Sequence, residues 1–468
     1  MLFSSMTFLF VFMPLVMVVY FLSKKEIRNY VLLIASIIFY AWGEPRYLAI
    51  MIITILVNYA GAILLDKHYS SRQRLWIVSL TIVLDLSFLF YFKYFNFVVD
   101  NINGVLATDF QLLDVIMPIG ISFYTFQAMS YLIDVYRREV PAQKDVYKLA
   151  LYIVLFPQLV AGPIVKYHDV CEQIDNRTIE FNNVIIGFKR FITGLAKKVL
   201  IANTLAEVVD KIFAQAPENL TTGVSWLGAV AYCLQLYYDF SGYSDMAIGL
   251  GLMFGFRFLE NFNYPYISKS ITEFWRRWHI SLATWFKLYL YIPLGGNRKG
   301  AVRTYWNLFA VFLVTGIWHG AAWSYVAWGI WNGIFIVIER FFGLDKDKND
   351  RWYVSAAKHV YAFFAIVWGM IIFRAESLSY AYEYICRMLH IDVTKHLPDY
   401  DYGVNNKFAI MLIVGLICAM PVCRNLIYIK YEHKVQRTLV NIWLFLLFFW
   451  STISLAASTY NPFIYFRF

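Results

Sequence analysis

Two histidines sit where an imidazole is costly to place and useful to have. His319 lies in Gly316-Ile317-Trp318-His319-Gly320-Ala321, near the middle of a run from Tyr305 to Ile338. Those 34 residues contain no Asp, Glu, Lys or Arg. An ionisable side chain at membrane depth is costly and marks a functional site by default. Imidazole is also the side chain best suited to moving protons near neutral pH. His279, 40 residues earlier, closes the block Glu273-Phe274-Trp275-Arg276-Arg277-Trp278-His279. The pattern points to a pair converging on one cavity, with His319 as general base toward a hydroxyl or thiol within hydrogen-bond reach. Burial disfavours the charged ring, so a neutral acceptor is expected. The structural alternatives are a kink histidine bonded to a backbone carbonyl (His319) and an interfacial anchor like its Trp neighbours (His279).

A second constellation is Tyr237-Tyr238-Asp239-Phe240-Ser241-Gly242-Tyr243-Ser244-Asp245, two carboxylates in an otherwise uncharged segment. On a helix Asp239 and Tyr243 share a face, four residues apart. Buried carboxylates need partners. Arg276, Arg277 or a histidine are the candidates, and a structural salt bridge is the plainer reading. Asp85, another intramembrane carboxylate, has Lys93 within two helical turns as a possible partner.

A third is Tyr291-Ile292-Pro293-Leu294-Gly295-Gly296-Asn297-Arg298-Lys299-Gly300. A Gly-rich turn followed by Arg298 and Lys299 can hold phosphate through backbone N–H groups and cations. It lacks the spacing of a nucleotide-hydrolysis loop, and a basic surface turn is the bland alternative. No HExxH, GxSxG, GxGxxG or Asp-rich motif occurs, and His68, His168, His359, His390, His396 and His433 are scattered. No metal is expected. The five cysteines have no paired spacing, which argues against disulfides and zinc.

Elements that can carry these residues must be membrane helices. The chain of 468 residues is 60% hydrophobic and only 15% charged, against about 25% charged in soluble domains. Apolar segments of helical length fall at about 2–22, 30–43, 47–65, 75–95, 115–135, 186–213, 226–255, 355–373, 408–423 and 438–458. Pieces at about 149–165, 280–294 and 305–338 are broken by Pro or Gly or are of awkward length. Irregular backbone at membrane depth is tolerated only against protein or a hydrated cavity, so these pieces are expected to line one. The N-terminal apolar run reads as a retained span, not a cleaved leader. The expectation is an all-α polytopic membrane protein with about ten spans plus re-entrant helices around a central tunnel. It is read as a single domain over 1–468, with its catalytic core at about 115–340.

Charge sets the orientation. Lys24, Lys25, Arg28, Lys67, Arg72, Arg74, Arg137, Arg138, Lys144 and Lys148 fall in one set of loops, while 96–113 and 214–225 carry no Lys or Arg. The basic set, with Arg424, Lys430, Lys434 and Arg437, is expected inside, and both termini outside. The mixed basic and aromatic region 257–303 suits an interfacial element on the cytoplasmic side. A net charge of +10 distributed over short loops speaks for anionic lipid, not nucleic acid.

The blocks Trp275-Arg276-Arg277-Trp278-His279-Ile280-Ser281-Leu282, Tyr291 to Gly300, Ile317 to Ala321, Tyr238 to Asp245, Phe156 to Ile164 and Asn461-Pro462-Phe463 together resemble the membrane-bound O-acyltransferase (MBOAT) family, alginate O-acetylase subgroup. The resemblance implies an intramembrane tunnel with His319 at the near-invariant catalytic position and His279 at the second, more variable one. It implies a cytoplasmic acetyl thioester as donor substrate, acetyl-CoA or an acyl carrier protein, with no bound cofactor. The acetyl group is then destined for a hydroxyl of a cell-surface polysaccharide, an alginate-like exopolysaccharide or peptidoglycan. It further implies a bacterial cytoplasmic-membrane location and an extracytoplasmic acetyltransferase partner. On this reading Arg276, Arg277, Arg298 and Lys299 dock the donor. Asp239, Tyr243, Asp245, Trp318 and Gly320 line or support the tunnel, with Trp318 and Trp323 walling a space short enough for acetyl. The alternatives are D-alanyl transfer to teichoic acid from a carrier protein, a transporter or flippase with a His/Asp proton relay, and a scaffold subunit. No repeated halves of the transporter kind are visible.

Overall fold

The computed structural model describes residues 1–67, 70–160, 162–344, 350–390, 400–423, 434–458 and 460–463. Ala161, His68, His396, His433, Arg424 and Lys430 lie outside them. All regular structure among the described residues is helical. Each of the ten expected apolar segments is helical in large part. Among the described residues four helices are long and apolar enough to cross a membrane: Pro45–Lys67, Ser71–Leu106, Trp352–Arg374 and Val435–Ala457. Their outward faces are apolar. Trp76, Leu80 and Val83 are exposed on one, and Leu439, Trp443 and Leu446 on another, as lipid requires. The chain is a multi-pass membrane protein.

The residues cluster into two compact units. One comprises Met1–Phe191 with Ser244–Leu259, the other Ile192–Tyr243 with Glu260–Phe468.

In the first unit the Ile121–Arg137 helix is buried on every side from Ile121 to Leu132. A helix apolar all round belongs in an interior. An aromatic cluster of Phe3, Phe8, Phe12, Phe39 and Phe156 packs at ring separations of 5.0 to 6.5 Å. Arg74, expected in a basic loop, turns inward. Its guanidinium donates to the carbonyls of Leu65, Val135 and Tyr136, ending two helices with a cation where their dipoles favour one. Asp85 accepts from Asn58 at 2.9 Å, while Lys93 donates to Ser122 at 3.3 Å. Asp85 therefore has a neutral amide beside it on the neighbouring helix.

In the second unit the apolar run 305–338 is not one interrupted element but a hairpin of two helices, Ala301–His319 and Trp323–Phe342. His319 is the last residue of the first. Extended backbone at Gly320 and Ala322 ends that helix and starts the next. The two helices touch at Gly316 and Gly329. A Cβ on Gly316 would lie 2.4 Å from the Tyr325 carbonyl oxygen, and one on Gly329 2.6 Å from that of Phe312. Only glycine permits backbones that close. The basic block splits into short helices, Ile271–Arg277 and Ile280–Phe286, followed by one π-helical turn, Lys287–Tyr291. Glu339, fully buried, accepts from the backbone N–H of Ile271 at 2.6 Å and of Thr272 at 2.8 Å. It satisfies two orphan donors of the first short helix and ties that helix to the hairpin.

Candidate active site

His279 and His319 line one cavity in the second unit. Four structural features converge there. The Thr222–Met253 helix contributes Leu236 and Phe240. The break between the two short helices contributes Trp278 and His279. The hairpin contributes His319 and Trp328, and the Trp352–Arg374 helix contributes Met370 and Phe373. The space between these side chains amounts to about 330 Å³ with its opening to solvent included.

The two rings are held by aromatic contacts. His319 stands edge-on to Trp328 at 5.0 Å and to Phe373 at 5.2 Å. His279 stands edge-on to Phe240 at 4.6 Å. Trp318 lies 4.9 Å from the His319 ring and 6.3 Å from that of His279, so one indole touches the surroundings of both. Trp318 is buried. Trp323 does not wall this space, because it is 56% exposed at the start of its helix.

His279 has a left-handed backbone, φ 45° and ψ 52°. For a residue with a Cβ this costs about 1–2 kcal/mol and persists only where neighbours over-determine it. Asn261 supplies the restraint. Its carbonyl accepts from Ile280 N–H at 2.9 Å, and its side-chain Oδ1 accepts from Ser281 N–H at 3.2 Å and Ser281 Oγ at 2.8 Å. The imidazole Nδ1 of His279 lies 3.2 Å from the same oxygen. Ahead of this break the Ile271–Arg277 helix is fixed by Ser270, which caps Glu273 N–H at 3.0 Å, and by Trp275, whose indole N–H donates to Asn332 at 3.0 Å.

The remaining sequence candidates lie apart from one another. Asp239 pairs with Lys198 at 2.5 Å, both buried, and not with an arginine of the basic block. Lys198 also donates to Asn203 Oδ1 at 2.8 Å and to the Pro462 carbonyl. Tyr243 packs on Phe463 at 4.6 Å. The Asp239 face of its helix thus holds the Asn461-Pro462-Phe463 segment, while neighbouring Phe240 faces His279. Asp245 belongs to the first unit, where Arg190 donates to it at 2.8 Å. Arg277 pairs with Glu273 at 2.9 Å, whereas Arg276, Arg298 and Lys299 are exposed. The turn bearing Arg298 is built by left-handed Gly295 and Gly296 and by Asn307, which donates to the Gly296 carbonyl at 2.9 Å. Gly320 packs against Tyr325, whose ring would lie 2.1 Å from an added Cβ.

Sequence reasoning missed Asn261, Glu339, Lys198 and Arg190. The two cations were detectable, since each interrupts an apolar helical segment. Asn261 lies in a non-periodic stretch and gave no signal. Among the described residues no cluster of three or more His, Cys, Asp or Glu is arranged to hold a metal ion.

The site thus brings two buried imidazoles into one aromatic cavity beside a left-handed helix break. The model of the membrane-bound O-acyltransferase family matches residues 37–378. The chain is 42% identical over 500 residues to a Pseudomonas putida protein named probable alginate O-acetylase AlgI, with all of both chains covered. It is 48% identical over 392 residues to the Pseudomonas aeruginosa protein of that name, covering 82% of this chain and 74% of the other. It is 32% identical over 479 residues to the peptidoglycan O-acetyltransferase of Helicobacter pylori, covering 92% and 89%. This chain belongs to the membrane-bound O-acyltransferase family and is a multi-pass membrane O-acyltransferase.

Proposed function

We propose that the protein takes an acetyl group from a cytoplasmic thioester, acetyl-CoA or an acyl carrier protein, and passes it across the membrane for O-acetylation of a cell-surface polysaccharide. The observation that carries this is the convergence of His279 and His319, from two separate helix breaks, on one small cavity. The relatives named for alginate and peptidoglycan acetylation support the polymer class.

In the proposed reaction the acceptor hydroxyl gives its proton to the His319 imidazole as its oxygen attacks the thioester carbonyl. A C–O bond forms and a tetrahedral intermediate results. Its collapse breaks the C–S bond, and the departing thiolate takes the proton back from His319. No net proton is consumed. His279 binds and orients the reacting groups. Exposed Arg276, Arg298 and Lys299 attract the anionic donor, while Arg277 is held against Glu273. An extracytoplasmic acetyltransferase partner receives the acetyl group at the outer face of the bacterial cytoplasmic membrane.

The test is transfer of labelled acetyl from acetyl-CoA by purified protein. General-base catalysis contributes roughly 10²–10⁴-fold, so His319→Ala is expected to lose that much while remaining folded and inserted. Transfer at the wild-type rate in that variant removes His319 from the chemistry.

A further inference from the structure

Asn261 holds the ring of His279 as well as its backbone. Which end of the Asn261 amide faces these groups, and which ring nitrogen of His279 carries the proton, follow from their hydrogen-bond partners. Here a neighbouring group settles both. The backbone N–H of Ser281 can only donate, and it points at Asn261 Oδ1 at 3.2 Å. The reversed amide would set donor against donor at that position, so the atom is the oxygen. Asn261 Oδ1 can only accept. The Ser281 hydroxyl, 3.5 Å from His279 Nδ1, donates to the same Asn261 oxygen at the shorter 2.8 Å, so Nδ1, 3.2 Å from that oxygen, carries a proton of its own. A neutral imidazole has one N–H, which leaves the lone pair on Nε2. The arrangement is fully buried, with His279 and Asn261 at 0% and 1% exposure, so water does not compete for these contacts.

We propose that Asn261 is a positioning residue that locks His279 in the Nδ1–H tautomer. His279 Nε2 is then a hydrogen-bond acceptor and orients a hydroxyl or thiol donor in the cavity it shares with His319. The ring cannot present an N–H from Nε2 to a carbonyl oxygen while this tautomer holds. This separates its role from oxyanion stabilisation and assigns it to the proton-bearing partner of the reaction. That role rests on the reading of the cavity as the acyl-transfer site; the tautomer itself does not.

Nitrogen NMR of full-length protein carrying ¹⁵N-labelled histidine, in lipid, reads the tautomer directly, the His279 signals being those lost in His279→Gln. A protonated, pyrrole-type Nδ1 and an unprotonated, pyridine-type Nε2 are expected. Asn261→Leu should lose this fixed pattern, and Asn261→Asp, which keeps an oxygen acceptor, should retain it. Ser281→Ala, which removes only one of the other donors, should leave it in place. Transfer turnover should fall about 10- to 100-fold in Asn261→Leu, the usual effect of removing a partner that orients a functional histidine. The donor KM should stay unchanged, and Asn261→Asp should restore turnover. A proton on Nε2, protons on both nitrogens, or an unchanged pattern in Asn261→Leu would overturn the lock. If the pattern is as expected but wild-type protein transfers no acetyl from any thioester, the lock stands and the acyl-transfer reading is the one that fails.

Discussion

Lys198 shows how a single residue can be costly and still fixed. Its ammonium lies inside a helical segment, at the one π-helical turn of that region, Lys197–Ala202. Its partners are Asp239, Asn203 and the Pro462 carbonyl. Breaking a buried ion pair on one side costs about 3–5 kcal/mol, because the other charge is stranded. Lys198→Met should therefore lower thermal stability strongly in detergent. The double variant Lys198→Met/Asp239→Leu should recover most of the loss, as apolar replacements of buried pairs generally do. A double variant no more stable than the single one would show that the pair does more than neutralise itself. At the same scale, Gly320→Val places methyl groups where the Tyr325 ring already sits. Acetyl transfer should be abolished through displacement of the adjacent His319. Transfer unchanged in that variant would show that the hairpin tip can yield without moving the histidine.

At the scale of elements, the hairpin and the short helices act as one support. Glu339 joins them through two backbone N–H groups, and the Tyr361 hydroxyl, donating to it at 3.1 Å, adds the Trp352–Arg374 helix. Glu339→Ala leaves those donors buried without their acceptor, at about 1–3 kcal/mol each. A large drop in melting temperature is expected, with Glu339→Gln intermediate because it retains one oxygen. This scale also shows what the sequence could reveal. The apolar segments announced helices because runs of that length have few other folds in lipid. His319 stood out because the run from Tyr305 to Ile338 holds no Asp, Glu, Lys or Arg. Its position at a helix terminus, however, depends on the Gly316–Gly329 contact, which no local pattern encodes. Partners were harder still. Asp239 and Asp245 were legible as carboxylates needing cations, yet Lys198 and Arg190 lie 41 and 55 residues away along the chain. Asn261 is one polar residue in a stretch with no period to read.

For the whole molecule, the charge distribution and the cavity size make separable predictions. Exposed Arg298 and Lys299 sit on a turn of fixed shape, so reversing them to Glu should change long-range attraction without reshaping the site. The donor KM should rise severalfold, more at low ionic strength than at high, with little effect on acceptor use. A KM shift independent of salt would point to a structural effect instead. On the proposed reading the aromatic walls would set acyl length by exclusion. A clash in a packed wall costs about 1–3 kcal/mol, against about 0.8 kcal/mol gained per buried CH₂. In competition among acyl thioesters, acetyl should be preferred, and chains of roughly eight carbons rejected on the same exclusion argument. Preference for long chains would overturn the polysaccharide-acetylation reading and leave the family assignment intact.

The left-handed backbone at His279 decides how that position can be probed at all. Alanine, the habitual replacement, removes the ring but keeps the Cβ that resists this conformation. A β-branched residue resists it more. Activity lost in such variants mixes missing chemistry with a relaxed loop and cannot be apportioned. Asparagine visits the left-handed region readily, so His279→Asn is the informative deletion of the imidazole. It should melt close to wild type, whereas His279→Val should melt well below it. Any residual turnover in the asparagine variant then measures what His319 alone contributes.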